Sequence, residues 1–264
     1  MAVRTLARVP SPIDPRRRRD RCITVYGRRA VLEAIADRDL EVAEVIVAET
    51  GGRVVGEVAK AAQARGLPVR REKPAKVSLI SGNGRQDQGV VADVVAPQMR
   101  GLGERLEELE RDPDRSQRLL VVDGVTTPGN LGLIIRSAAG AGVDGIVVPR
   151  RGTAELGPQV IKASAGTAWR APLLRAAEGA DALSQLTDAG FAIVGLDAGA
   201  DEALWDVELP ARVAFLIGGE HAGASAEAAA YAHRWVRIPM APGVESLNVA
   251  CATTLVAFEV ARRG

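Results

Sequence analysis

The feature that most constrains this chain is a rhythm in its second half. Short apolar runs at Leu119 to Val122, Gly145 to Val148, Ala192 to Leu196, Val213 to Ile217 and Val236 to Ile238 alternate with segments of helical spacing. Runs this short and this uniformly apolar are strands buried on both faces, and the helices between them supply the crossovers that parallel strands need. The expected fold class is α/β, with a parallel sheet covered by helices in the C-terminal part. In open sheets of this kind ligands bind beyond the C-terminal ends of the strands. The loops that follow the runs are therefore where chemistry is sought.

Three such loops stand out. The first, Asp123-Gly-Val-Thr-Thr-Pro-Gly-Asn-Leu-Gly, leads into a helix holding Ile134, Ile135 and Arg136. A strand, a glycine-containing turn and a helix N-terminus together often hold a phosphate or nucleotide. Gly124 to Gly129 has the spacing of a phosphate-binding P-loop, but Asn130 stands where its lysine belongs, and no G-x-G-x-x-G follows the strand. An ATPase and a conventional nicotinamide oxidoreductase are both disfavoured by those missing residues, while glycines that merely permit tight turns remain an alternative. The second loop, Ile217-Gly-Gly-Glu-His-Ala-Gly, places Glu220 at a strand end and His221 beside it as a surface neighbour. The third, Ile238-Pro-Met-Ala-Pro-Gly-Val-Glu-Ser-Leu-Asn-Val, brings Ser246 and Asn248 to the start of a final helix, Leu247 to Val260, which Ser246 is expected to cap. That helix is apolar on nearly every side as far as Glu259, so it needs cover from its own sheet and from something else, either a second subunit or the rest of the chain.

The first half divides differently. Residues 1–22 carry seven Arg against two Asp and read as a basic, disordered tail, with a non-specific phosphate-neutralising arm as the alternative. No apolar segment follows that tail as a secretory signal requires. Residues 23–96 read as a compact α/β unit. It has helices at Arg28 to Ile35 and Val54 to Arg65, strands at Val42 to Val47, Leu67 to Arg70 and Gly89 to Ala96, and a loop at Ser81 to Gly84. Residues 97–117 read as a polar linker with a short helix at Glu104 to Glu110, and residues 118–264 as the second domain. No apolar stretch is long enough to span a membrane, and Cys22, Cys251, His221 and His233 form no close-spaced metal motif. So few thiols suit a cytoplasmic protein that binds neither metal nor membrane.

Taken in order, Asp123…Pro128-Gly-Asn130-Leu-Gly132…Arg136-Ser-Ala, Gly218-Gly-Glu220…Gly223 and Ile238-Pro-Met240…Ser246-Leu-Asn248-Val resemble the motifs of the SpoU (TrmH) family of RNA ribose methyltransferases, within the knotted SPOUT class. Tyr26-Gly-Arg-Arg-Ala-Val-Leu-Glu-Ala and Gln88-Gly-Val-Val-Ala are similar to the opening and closing signatures of the small RNA-binding domain of RlmB-like members. The resemblance covers roughly residues 24–264. It departs where Gly129 and Asp87 stand in place of two usual histidines.

The resemblance implies a deep trefoil knot, a homodimer and S-adenosylmethionine as methyl donor. It places the donor against Leu216, Gly218, Gly219, Ile238, Met240, Ser246, Leu247 and Asn248. It gives catalytic roles to Asn130, Arg136, Glu220, Ser246 and Asn248. RNA contacts are expected from Arg28, Arg85, Gln88, Arg136 and Lys162, the last in an element, Lys162 to Gly166, that borders the active site. Other basic residues suited to tracking phosphates are Arg70, Arg71, Lys73, Lys76, Arg150 and Arg151. Arg136 suits a phosphate contact better than a base role, because a guanidinium is a poor proton acceptor. The expected reaction is methylation of a ribose 2′-hydroxyl, which only RNA offers. A 23S ribosomal guanosine is the first choice of target. A transfer RNA and an antibiotic-resistance site of ribosomal RNA are the alternatives, as is a non-catalytic RNA-binding protein on the same fold.

Overall fold

The computed structural model describes residues 18–220 and 223–263, and the chain forms two compact units that meet between Val95 and Ala96. His221 and residues 1–17 of the basic tail lie outside the described residues.

The smaller unit begins earlier than the sequence suggested. Arg18–Arg21 forms a helical turn, α1, and Cys22–Tyr26 is a strand, β1, with Ile23 and Val25 buried. It continues through α2 (Arg28–Ala36), β2 (Val42–Ala48), α3 (Arg53–Ala64), β3 (Val69–Glu72), α4 (Pro74–Ser81) and β4 (Val90–Val95). The sheet order is β1-β4-β2-β3, with β4 antiparallel to both neighbours and β3 parallel to β2. On α2 the buried residues are Val31, Ala34 and Ile35, and on α3 Val55, Val58, Ala59 and Ala62. The spacing by three and four that marked both helices is thus the face turned to the sheet.

The larger unit contains an eight-stranded sheet in which every pairing is parallel, as the uniform apolar runs required. Its elements are β5 (Arg100–Gly101), α5 (Leu102–Glu110), β6 (Gln117–Val122), α6 (Pro128–Ala141), β7 (Gly145–Pro149), α7 (Pro158–Ala163), β8 (Leu173–Ala176), α8 (Gly179–Asp188), β9 (Ala192–Leu196), β10 (Glu202–Ala203), β11 (Arg212–Ile217), α9 (Ala226–Ala229), β12 (Arg234–Arg237) and α10 (Val249–Arg262). The strand order is β10-β12-β9-β11-β6-β7-β8-β5, so β6 and β11 lie together at the centre and both edges are two-residue strands.

Two expectations are corrected here. The segment 97–117 is not a linker. Leu102, Leu106 and Leu109 form one stripe on α5 and enter the same core as Leu183, Leu186 and Phe191, so α5 belongs to the larger unit. The final helix starts at Val249, and its cap is Asn248 rather than Ser246: Asn248 Oδ1 accepts from the Ala250 N–H at 2.9 Å. α10 packs on α6, with Thr254 Oγ1 donating to Ser137 Oγ at 2.8 Å, and it buries Val256, Ala257 and Val260. Leu255 and Phe258 are 39% and 53% exposed, so the described residues cover only part of this apolar helix.

Candidate active site

The first and second loops are braced by backbone and by one buried carboxylate. At the end of β6, Asp123 accepts the Ser225 N–H through Oδ2 at 2.7 Å. The Gly219 N–H donates to Gly223 O at 2.8 Å and the Gly223 N–H to Gly219 O at 3.2 Å, closing the second loop on itself. A Cβ on Gly219 would stand 2.4 Å from the Gly124 carbonyl oxygen. Glycine is therefore required there because the two loops touch backbone to backbone. Gly132, one turn into α6, plays a similar part: a Cβ would meet Ala163 of α7 at 2.4 Å. That close approach fixes where α6 begins, and with it Asn130.

The three loops converge on one polar cluster. Glu220 Oε1 accepts from Asn248 Nδ2 at 2.8 Å and from Asn130 Nδ2, and Asn248 Nδ2 also lies 3.2 Å from Asn130 Oδ1. Residues 90 and 28 positions from Glu220 in sequence are thereby joined to one carboxylate oxygen. Glu220 Oε2 has no partner among the described residues, so the cluster presents an unused acceptor.

Beside the cluster lies a cavity of about 160 Å³ lined by Leu196, Val236, Ile238, Met240, Ser246 and Leu247. Asp197, at the end of β9, and Glu245, in the third loop, add carboxylates to its wall. Apolar side chains on several walls and a carboxylate suit an adenosine: the ring packs against Leu, Ile and Val, and a ribose diol donates to an acid. Of the residues expected against the donor, Ile238, Met240, Ser246 and Leu247 line this cavity; Leu196 and Asp197 line it too and were not among those expected. Their signal was an apolar strand ending in Asp-Ala-Gly, the same grammar as the other loops. Leu216 lines neither this cavity nor the larger one nearby; its side chain is in the core with Leu119 and Ile193. The larger cavity, of about 380 Å³, lies on the first loop and includes Gly219 and Glu220.

Arg136 does not join the cluster. It lies about one and two-thirds turns along α6 from Asn130, on another side of the helix, where it is exposed and without a hydrogen bond or ion pair among the described residues. The expected RNA contacts also divide. Arg28 makes a two-pronged ion pair with Glu57 at 2.7 and 2.8 Å, so its charge is already balanced. Gln88 accepts the Arg28 N–H through Oε1 at 3.0 Å. Arg85 and Lys162 are exposed with no partner among the described residues. Arg70 is paired with Glu44 and Glu72, and Arg151 with Glu178. Asp87 is buried rather than facing outward: its two oxygens accept from the Gly89 N–H and the Ser81 hydroxyl, each at 2.8 Å. Among the described residues no cluster of His, Cys, Asp and Glu is arranged to hold a metal ion, and no helix is long and apolar enough to cross a membrane.

Residues 117–258 match the family model for the SpoU rRNA methylase family, and residues 24–100 match that for RNA 2′-O ribose methyltransferase substrate binding. The chain belongs to the SpoU rRNA methylase family. Among SpoU relatives, the 23S rRNA (guanosine-2′-O-)-methyltransferase RlmB of Xanthomonas campestris pv. campestris is 33% identical over 241 residues, 90% of this chain and 96% of the relative. The AdoMet-bound rRNA methyltransferase of Sinorhizobium meliloti superposes with a TM-score of 0.59 at 27% identity, covering 92% of this chain and 87% of that one. The SpoU methyltransferase AviRb of Streptomyces viridochromogenes, in complex with AdoMet, superposes with a TM-score of 0.57 at 25% identity over 95% and 94% of the two chains. The SpoU segment spans all three loops and ends within α10.

Proposed function

We propose that this protein is an S-adenosylmethionine-dependent RNA 2′-O-ribose methyltransferase that acts on a guanosine of 23S ribosomal RNA. The observation that carries this reading is the joining of Asn130, Glu220 and Asn248, one from each family motif, beside an apolar cavity. The target is supported by the RlmB relative, which matches across both units.

Ile238, Met240, Leu196 and Leu247 hold the adenosine part, Asp197 accepts from its ribose, and Ser246 adds a hydroxyl on the same wall. The bound donor supplies an electrophilic methyl group on a sulfonium. With the donor bound, the acceptor 2′-oxygen would take the methyl carbon, the electron pair of the broken carbon–sulfur bond would stay on sulfur, and the hydroxyl proton would pass to water. The chain's task is orientation: Glu220 Oε2 accepts a hydrogen bond from the 2′-hydroxyl and so aims a lone pair, while Asn130 and Asn248 hold the carboxylate still. Arg136 contacts an RNA phosphate, a role its permanent charge and lack of an internal partner suit. Arg85, Gln88 and Lys162 are the remaining RNA contacts of this reading.

Two further parts belong to the same reading. A second copy of the chain covers Leu255 and Phe258, giving a homodimer. The trefoil knot involves the segment that returns from β12 to lay α10 on α6. Ribosomal RNA as substrate places the enzyme in the cytoplasm.

The test is transfer of labelled methyl from S-adenosylmethionine to total RNA taken from cells lacking the activity, followed by separation of 23S rRNA from transfer RNA and alkaline hydrolysis. A labelled nucleotide that resists cleavage at its 3′ side is the expected product. Label on a base, or only on transfer RNA, would contradict the reaction or the target respectively.

A further inference from the structure

Glu245 stands in the wall of the cavity proposed to hold the donor, and the reaction as described does not use it. The third loop brings it there by a turn: the Val244 N–H donates to Ala241 O at 3.2 Å, and Gly243 takes a left-handed φ of 85°. The next two residues, Ser246 and Leu247, line the same cavity. Glu245 itself is exposed and has no hydrogen bond or ion pair among the described residues. An acid that braces nothing in the chain is left to act on what the cavity holds.

The rest of the wall does not offset it. Asp197 is the other acid of the lining, and one of its oxygens already accepts the Gly199 N–H at 2.7 Å. No basic side chain lines the cavity among the described residues. Arg237 lies between the lining residues Val236 and Ile238 but is not in the wall itself. Its guanidinium donates to the carbonyl oxygens of Ala200, at 2.7 Å, and Asp201. Two acids therefore face one small volume with no cation beside them in its wall, and such a volume attracts a positively charged ligand.

Ligand chemistry turns that imbalance into a preference. S-adenosylmethionine carries a sulfonium charge. S-adenosylhomocysteine, the product left once the methyl has gone, lacks it, and the two share every other charged group. The wall's acids can tell them apart only by that one charge, whichever way round the ligand lies. We infer that Glu245 is a specificity-determining residue that favours the charged donor over the spent product, so that the cavity fills with one and releases the other. This rests on the donor seat proposed above. One charge about 6–8 Å away, at an effective dielectric between those of protein and water, changes the ratio of the two dissociation constants by about three- to tenfold.

The experiment is calorimetry with both ligands on the full chain. In Glu245→Gln the Kd for S-adenosylmethionine should rise by about three- to tenfold more than that for S-adenosylhomocysteine. Glu245→Asp retains the charge and should keep the wild-type ratio to within about twofold. Glu227→Gln removes an exposed acid of α9, outside the cavity, and should leave both constants unchanged. Raising salt from about 0.05 M to about 0.5 M should move the wild-type ratio toward that of Glu245→Gln, because screening weakens the attraction. Equal losses of both ligands in Glu245→Gln, or no loss of either, would overturn the inference. So would a Glu245→Asp protein that behaves like the glutamine variant. Wild-type protein that binds neither ligand would instead refute the donor seat.

Discussion

Glu220 Oε1 accepts the Asn248 side-chain amide at 2.8 Å, and the same Asn248 caps α10 through its other side-chain atom, Oδ1, on the Ala250 N–H at 2.9 Å. One side chain thus ties the second loop to the start of the last helix. Position and stability are coupled at this residue, and two substitutions separate them.

Asn248→Asp retains an oxygen for the Ala250 N–H but sets a second carboxylate beside Glu220. Methyl transfer should fall by about a hundredfold while the melting temperature stays near wild type. Asn248→Ala loses both bonds, and the missing cap should cost about 1 kcal/mol, read as a drop of about 2–4 °C in Tm. Equal melting losses in both variants would show that the cap is not what Asn248 contributes.

Glu220→Gln keeps the size of the side chain and removes its charge. Single-turnover transfer should slow by about 10² or more, with S-adenosylmethionine affinity little changed, because Glu220 is not part of the apolar cavity wall. A proportional loss of donor binding would move Glu220 to the cofactor site.

At Gly132 the α6–α7 approach leaves no room for a methyl group. Gly132→Ala should destabilise the larger unit by about 1–3 kcal/mol, measured by urea denaturation, although alanine is the better helix former. A more stable variant would mean that the two helices separate freely.

Acid should loosen the end of α10 in a defined window. Arg262 and Arg263 both bond Glu259, 2.7–2.9 Å away, and hold its carboxyl down at about 2. A depressed pKa gives stability that is full above the ordinary value of 4.5 and is lost as pH falls from there through about 2. Glu259→Gln should remove that part of the pH dependence in thermal melts between pH 5 and pH 2, and leave the remaining acid transition in place.

Phe258 is 53% exposed on the uncovered side of α10. Phe258→Asp should convert a dimer to monomer in sedimentation velocity, with the far-ultraviolet spectrum retained. A wild-type protein that sediments as a monomer at micromolar concentration would remove the second copy from the proposal.

What the sequence revealed depended on how local each signal was. The long apolar strands were legible because burial on both faces leaves no polar alternation, and the loops because glycine, Glu220 and Asn248 recur at strand ends. The strands β5 and β10 escaped because two residues carry no period, and β8 because Arg175 interrupts it, its guanidinium donating to the Val148 carbonyl at 2.6 Å. The segment holding α5 looked like a linker because its charges outnumber its three leucines, yet their spacing puts all three on one side. Arg28 looked free because Glu57 lies 29 residues away. Ser246 looked like a cap because serine favours that position; Asn248 took it because its two side-chain atoms serve helix and carboxylate at once.

The two-residue edges of the larger sheet have their own consequence. Long bare strands invite another sheet to dock and grow, but β10 and β5 expose too few backbone groups to template one. The broad parallel sheet can therefore stay open at both rims without becoming a seed for fibres. In the proposed homodimer self-association runs through a helix instead, and a closed pair does not extend without limit.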